Sequence, residues 1–190
     1  MVNGYRGFIR KIFRFYKTQT IVLVFLFLII IGAILLNTPA ASKDGESIGF
    51  LNALFTSTSA SCVTGLIVVD TYQHWTLFGQ IVILCLIQVG GLGFMTMATL
   101  FSFLVRRAIS FNERLMIQES LNLENTQGII RLVKHILIGT FLIEGAGALF
   151  LSVKFIPRFG IADGIFKSVF HSVSAFCNAG FDILGVNKPF

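Results

Sequence analysis

Residues 76–105 run for thirty positions without a charged side chain. Few soluble folds require such a stretch, but a membrane does: spanning a hydrocarbon core about 30 Å thick takes about 20 apolar residues at about 1.5 Å each. Two shorter runs share the character. Residues 21–36 carry no charge and no strongly hydrogen-bonding side chain, and 16–20 can lie at the interface. Residues 136–153 carry one acid, Glu144, at the middle. Backbone in lipid must satisfy its own polar groups, so each run is expected to be helical and the fold class is an all-α membrane protein. Charged residues make up only 13 % of the chain, against about a quarter in soluble domains. The longest run exceeds a perpendicular span and is expected to tilt, bend or protrude.

The formal charge of +6 suggests nucleic acid until the charges are placed. Arg6, Arg10, Lys11, Arg14 and Lys17 precede the first run, and Arg106, Arg107 and Arg114 follow the second. The positive-inside rule puts both ends in the cytoplasm, making 1–20 a cytoplasmic basic terminus and leaving no nucleic-acid partner expected. A signal peptide would also pair a basic stretch with an apolar one, but two further spans make a retained first helix the simpler account. Cys62, Cys85 and Cys177 imply no disulfide framework.

With the amino terminus inside, the first span emerges near Pro39, the second returns to Arg106, and the third emerges toward Lys154 and Arg158. Those last two basic residues run mildly against the rule. Two segments then fall on the same outer side. TSTSASCVTG at 56–65 and HSVSAFCNAG at 171–180 are 115 positions apart, and each follows an apolar run ending in Phe, Phe55 or Phe170. Aligned without a gap over 49–65 and 164–180, they share Gly49/Gly164, Phe55/Phe170, Ser57/Ser172, Ser59/Ser174, Ala60/Ala175, Cys62/Cys177 and Gly65/Gly180. Two crossings separate them, so the units are parallel repeats, unlike the inverted repeats of many carriers.

Residues 47–55 suffice only for a short helix, with Ser47 a candidate cap, followed by a non-helical stretch from Ser61 to Gly65. Irregular backbone at membrane depth must be enclosed by protein or line a cavity. Gly65 is the residue best able to take positive φ and turn carbonyls toward one axis, where a ring of them can replace the water shell of a monovalent cation. No charge stands between Gly49 and Leu66. The competing account is close helix packing through small residues.

The phrases SASCVTGL, VVDT, QVGGLGFMT and HSVSAFCNAGFD resemble the Ktr/Trk/HKT superfamily of potassium transporters, in particular the membrane pore subunit of a bacterial Ktr system; the likeness runs from about 21 to 180. It implies units of span, pore helix, filter and span around a K⁺ pathway. Gly65 and Gly180 become filter glycines, with Cys62, Val63, Thr64, Cys177, Asn178 and Ala179 contributing backbone oxygens to K⁺. The first unit would occupy 21–105, a cytoplasmic connector 106–128, and a second, truncated unit 129–190. The resemblance further implies a plasma-membrane location, a homodimer among lipid, the remaining repeats of the same transporter, and a cytosolic nucleotide-binding regulatory subunit docking near 106–135. No covalent cofactor is implied. Because the second unit stops soon after Gly180, the chain is expected to be an amino-terminal portion of a longer transporter.

Other residues keep two readings. Glu144 either hydrogen-bonds a neighbour or serves ion conduction. His171 reads as a hydrogen-bonding residue behind the pore helix rather than a metal ligand. Asp70 and Asp182 either gather cations at a mouth or are solvated loop acids. His74 and Trp75 suggest an interfacial anchor. Gly90, Gly91 and Gly93 lack dinucleotide-loop spacing and suggest close packing or a bend. Ser110 and Glu113 have capping-box spacing, and Leu115, Ile117 and Leu121 give a partial apolar stripe. No catalytic triad, paired carboxylates or metal cluster emerges, so no enzyme is expected. K⁺ uptake through a pore, passive or Na⁺-assisted, leads; an alternating-access cation carrier and a non-conducting scaffold are the alternatives.

Overall fold

The computed structural model describes residues 22–93 and 128–185, with positions 19, 96, 115, 117 and 118. The basic terminus, most of the 106–128 connector including Ser110, Glu113 and Leu121, and the last five residues lie outside the described set. Among the described residues these α-helices follow in order: α1 (Val22–Leu36), α2 (Phe50–Ser61), α3 (Thr71–His74), α4 (Leu77–Leu92), α5 (Ile129–Phe159) and α6 (Ile161–Phe176), with a 3₁₀ turn at Pro39–Ala41. No strand is found among the described residues.

Helix α1 ends where the sequence provides a stop. Thr38 is extended ahead of Pro39, and its hydroxyl donates to Leu35 O (2.6 Å), satisfying an orphan carbonyl of the last turn. The chain then meets the entry of α4 through Lys43 N to His74 O and Thr76 N to Ala41 O, both 2.8 Å. Thr76 caps α4 by accepting from Gly79 N. Gly79 is required there, since a Cβ would stand 2.7 Å from Ala41 O and 3.0 Å from the Trp75 ring.

Trp75 is 1 % exposed, so it is a core residue and not the interfacial anchor its position suggested. The seam between the α1 exit and α4 encloses it. Leu36, Ile83, Ile87, Phe170 and Ile183 complete a core that joins α1, α4, α6 and the segment after α6. The opposite faces are apolar and open: Leu142, Leu149, Phe150 and Val153 of α5 are each more than two-thirds exposed, as suits lipid rather than water.

Helix α5 extends beyond both ends of the expected 136–153 span, and its stretch Ile130–Phe159 is long and apolar enough to cross a membrane. Gly160, at φ 87°, turns the chain back in a single residue. Gly164 then lets α6 lie against α5, because a Cβ would sit 2.7 Å from Ile156 Cα. Within the long uncharged run, α4 ends at Gly93, φ 80°, and the rest of the run, apart from position 96, lies outside the described set.

Candidate functional site

The short outer helix was expected to stop near Phe55 with Ser47 as its cap. Instead α2 begins after Gly49 and runs through most of the polar phrase to Ser61. Thr56 and Thr58 donate their hydroxyls to the carbonyls of Asn52 and Leu54 four residues back, so these polar side chains satisfy themselves inside a helix. Ser47 accepts from Gly49 N and donates to Asn37 Oδ1, which ties the loop rather than the helix.

The two phrases end in the same conformation, bond for bond. Cys62 N donates to Thr58 O (2.8 Å), Val63 N to Ala60 O (3.3 Å) and Thr64 N to Ser59 O (2.9 Å). Cys177 N donates to Val173 O (2.9 Å), Asn178 N to Ala175 O (3.1 Å) and Ala179 N to Ser174 O (2.7 Å). Each partner is 115 residues beyond its counterpart. Positive φ recurs at alternate positions, Val63 (57°) and Gly65 (73°), then Asn178 (56°) and Gly180 (75°). Sequence reasoning expected this only of the glycines. A β-branched Val at positive φ is an outlier, so Val63 is held there by its surroundings.

The two ends meet. A Cβ on Gly65 would overlap the carbonyl oxygen of Ala179 and lie 3.3 Å from Gly180 Cα, so backbone faces backbone across the chain's duplicated segments. Helices α2 and α6 both direct their carboxyl ends here, bringing the partial negative charge of two helix termini to one place. Positive φ thus alternates with ordinary φ along both segments, a backbone geometry able to turn successive carbonyls to one side of the chain. Cys62, Thr64, Asn178 and Gly180 are exposed, Val63, Gly65 and Cys177 half-buried, and Ala179 buried. Cys62, Cys85 and Cys177 are free thiols.

Helix α4 fits between both ends. A Cβ on Gly90 would overlap Ser61 O, and one on Gly91 would stand 2.5 Å from Cys177 Sγ. Close packing therefore accounts for this glycine pair. The correspondence also reaches the outer helices, which the sequence alignment did not. Ser57 Oγ donates to Ile29 O (2.7 Å) of α1 beside Gly32, and Ser172 Oγ donates to Glu144 O (2.6 Å) of α5 beside Gly147, again 115 residues on.

A profile of the TrkH family, described as cation transport proteins, matches residues 11–187. The chain belongs to this family. It is 49 % identical over 172 residues to the potassium/sodium uptake protein NtpJ of Enterococcus hirae, covering 90 % of this chain and 38 % of that protein. It is 45 % identical over 170 residues to the Ktr system potassium uptake protein B of Bacillus subtilis, with the same coverage on each side. Its namesake from Vibrio alginolyticus is 44 % identical over 179 residues, 91 % of this chain and 39 % of that protein. The TrkH chain thus spans about two-fifths of the length of the curated relatives it matches.

In this TrkH chain the remaining candidates have partners. Glu144, 6 % exposed, accepts from Gln88 Nε2 at both carboxyl oxygens (2.9 and 3.2 Å), a link between α5 and α4. Asp70 caps α3 by accepting from Gln73 N (2.7 Å). Asp182 accepts from Leu184 N (2.6 Å) and stands 2.9 Å from His171 Nε2, while His171 Nδ1 lies 2.7 Å from Lys167 O. His171 therefore lies behind the loop as a hydrogen-bonding residue.

Proposed function

We propose that this chain supplies two pore loops to a K⁺ uptake pathway in the plasma membrane, with its amino terminus in the cytoplasm. Residues 21–105 form a unit of span, pore helix, filter and span, 129–190 contribute span, pore helix and filter of a second, and 106–128 connect them on the cytoplasmic side. Carbonyls of Cys62, Val63, Thr64 and Gly65, and of Cys177, Asn178, Ala179 and Gly180, take the place of water around K⁺. The observation that carries this reading is the alternating positive φ at both loop ends, brought together at Gly65 and Gly180. Membership in a cation-transport family supports it, as does its similarity to potassium uptake proteins. We extend this, on the resemblance of the pore-loop phrases to Ktr systems, to Na⁺-assisted uptake, a homodimer of the complete protein and regulation by a cytosolic nucleotide-binding subunit.

The test is unidirectional Rb⁺ flux into vesicles holding the complete transporter, with K⁺ and Na⁺ as competitors and single-channel recording alongside. Unitary currents with K⁺ outcompeting Na⁺ are expected. Saturable flux without unitary currents would favour an alternating-access carrier, and absence of flux would reduce the chain to a scaffold.

A further inference from the structure

Behind the second loop, one face of α6 grips the chain as it leaves Gly180. Lys167, His171 and Ser174 are spaced i, i+4 and i+7 and so share that face. Ser174 Oγ donates to Phe181 O (2.8 Å), His171 Nε2 faces Asp182 Oδ1 (2.9 Å), and Lys167 Nζ donates to Ile183 O. Three successive residues of the exit segment thus lie against three residues on one face of the helix, in antiparallel order, and two of them are held by donated hydrogen bonds from Ser174 and Lys167. Lys167 is 4 % exposed, an expensive place for an ammonium group, and two aromatic rings face it beside its carbonyl acceptor. Its Nζ lies 3.8 Å from the Tyr72 ring centroid and 4.9 Å from that of Phe159. Tyr72 belongs to α3, the exit of the first loop, so this one cation fastens both exits.

The first copy lacks the device. Its equivalents, 115 residues earlier, are Asn52, Thr56 and Ser59. Asn52 Nδ2 donates to Ile48 O and Thr56 Oγ1 to Asn52 O, both within their own neighbourhood, and Ser59 Oγ accepts from Thr64 Oγ1. The residues corresponding to 181–183 are Leu66, Ile67 and Val68, exposed by 60 %, 53 % and 44 %.

We infer that Lys167 is a specificity-determining positioning residue: through Ile183 O and the Tyr72 ring it fixes the exit of the second loop, and thereby the spacing of carbonyls around Gly180 on which K⁺ discrimination depends. This rests on the pore reading above. The cation never meets Lys167; the lysine acts through backbone.

The experiment measures Rb⁺ uptake by the complete transporter, at matched membrane abundance, with K⁺ and Na⁺ as competitors. Lys167→Met should raise the half-saturating K⁺ concentration about tenfold, the equivalent of one charge-assisted hydrogen bond, and lower K⁺/Na⁺ discrimination while maximal uptake is retained. Lys167→Arg, keeping charge and donors, should recover part of the loss, and Asn52→Leu in the first copy should leave discrimination unchanged. If Lys167→Met does not reach the membrane, Tyr72→Leu decides, with a shift in the same direction expected. Discrimination within about twofold of wild type in whichever variant decides would overturn the inference. Wild-type protein that carries no Rb⁺ would overturn the pore reading itself, whereas conducting wild type with an indifferent variant overturns only the role of Lys167.

Discussion

Gly65 and Gly180 occupy equivalent positions and nearly the same φ, yet substitution with Ala should affect them unequally. Each glycine sits in the left-handed region, at 73° and 75°, where a Cβ costs about 1–2 kcal/mol. That penalty is common to both. At Gly180 the added carbon would lie 3.7 Å from Gly65 Cα, ordinary contact with nothing to displace. At Gly65 it would overlap Ala179 O, and restoring a contact of about 3.5 Å means moving the backbone by roughly 1 Å. The atom that must move is one of the carbonyls proposed to surround K⁺. Gly45, at φ 71° with open space around it, serves as the control for strain alone. Rb⁺ flux with Na⁺ competition should rank discrimination as wild type, close to Gly45→Ala, above Gly180→Ala, well above Gly65→Ala. Equal effects at Gly65 and Gly180, or none at Gly65, would refute the backbone-contact argument.

The link between Gln88 and Glu144 should appear in a double-mutant cycle of Gln88→Leu and Glu144→Leu as a coupling of about 0.6–1.7 kcal/mol, read from thermal unfolding in detergent. Gly90→Ala should lower the unfolding temperature because its Cβ overlaps Ser61 O, whereas Gly139→Ala, with nothing within 4 Å, should hold or raise it. A protease-cleavable tag at the exposed Gly45 should be reached from outside intact cells, and one within 106–128 should be shielded; the reverse pattern would overturn the parity argument.

The duplicated phrase was legible because seven identities survive in its seventeen positions. Its extension to the outer helices was not. Over 22–36 and 137–151 only Gly32/Gly147, Ala33/Ala148 and Leu36/Leu151 coincide, little to notice between two apolar helices; the glycines each make room for a serine hydroxyl, while the carbonyls that accept belong to residues as unlike as Ile29 and Glu144. A backbone acceptor leaves no trace in residue type. The positive φ of Val63 was hidden for a similar reason, since nothing intrinsic to valine asks for it. Helix α2 was underestimated because Ser and Thr suggest a break, where their hydroxyls compete for the backbone; here Thr56, buried, and Thr58, exposed, both turn their hydroxyls back onto the helix's own carbonyls. Trp75 misled because an aromatic beside a loop resembles an anchor, and only the close approach at Gly79 encloses it.

The stretch between outer helix and pore helix is the same length in both copies, 115 residues apart throughout, yet 37–49 is a turn and open chain while 152–164 is helix broken only at Gly160. Twin segments can therefore exchange coil for helix without gaining or losing a residue, leaving their inner ends in register. For anyone inserting a reporter, the first copy has the exposed stretch 43–46 to receive it, whereas the second has a turn one residue wide. Grafts at the two nominally identical sites should therefore fare very differently.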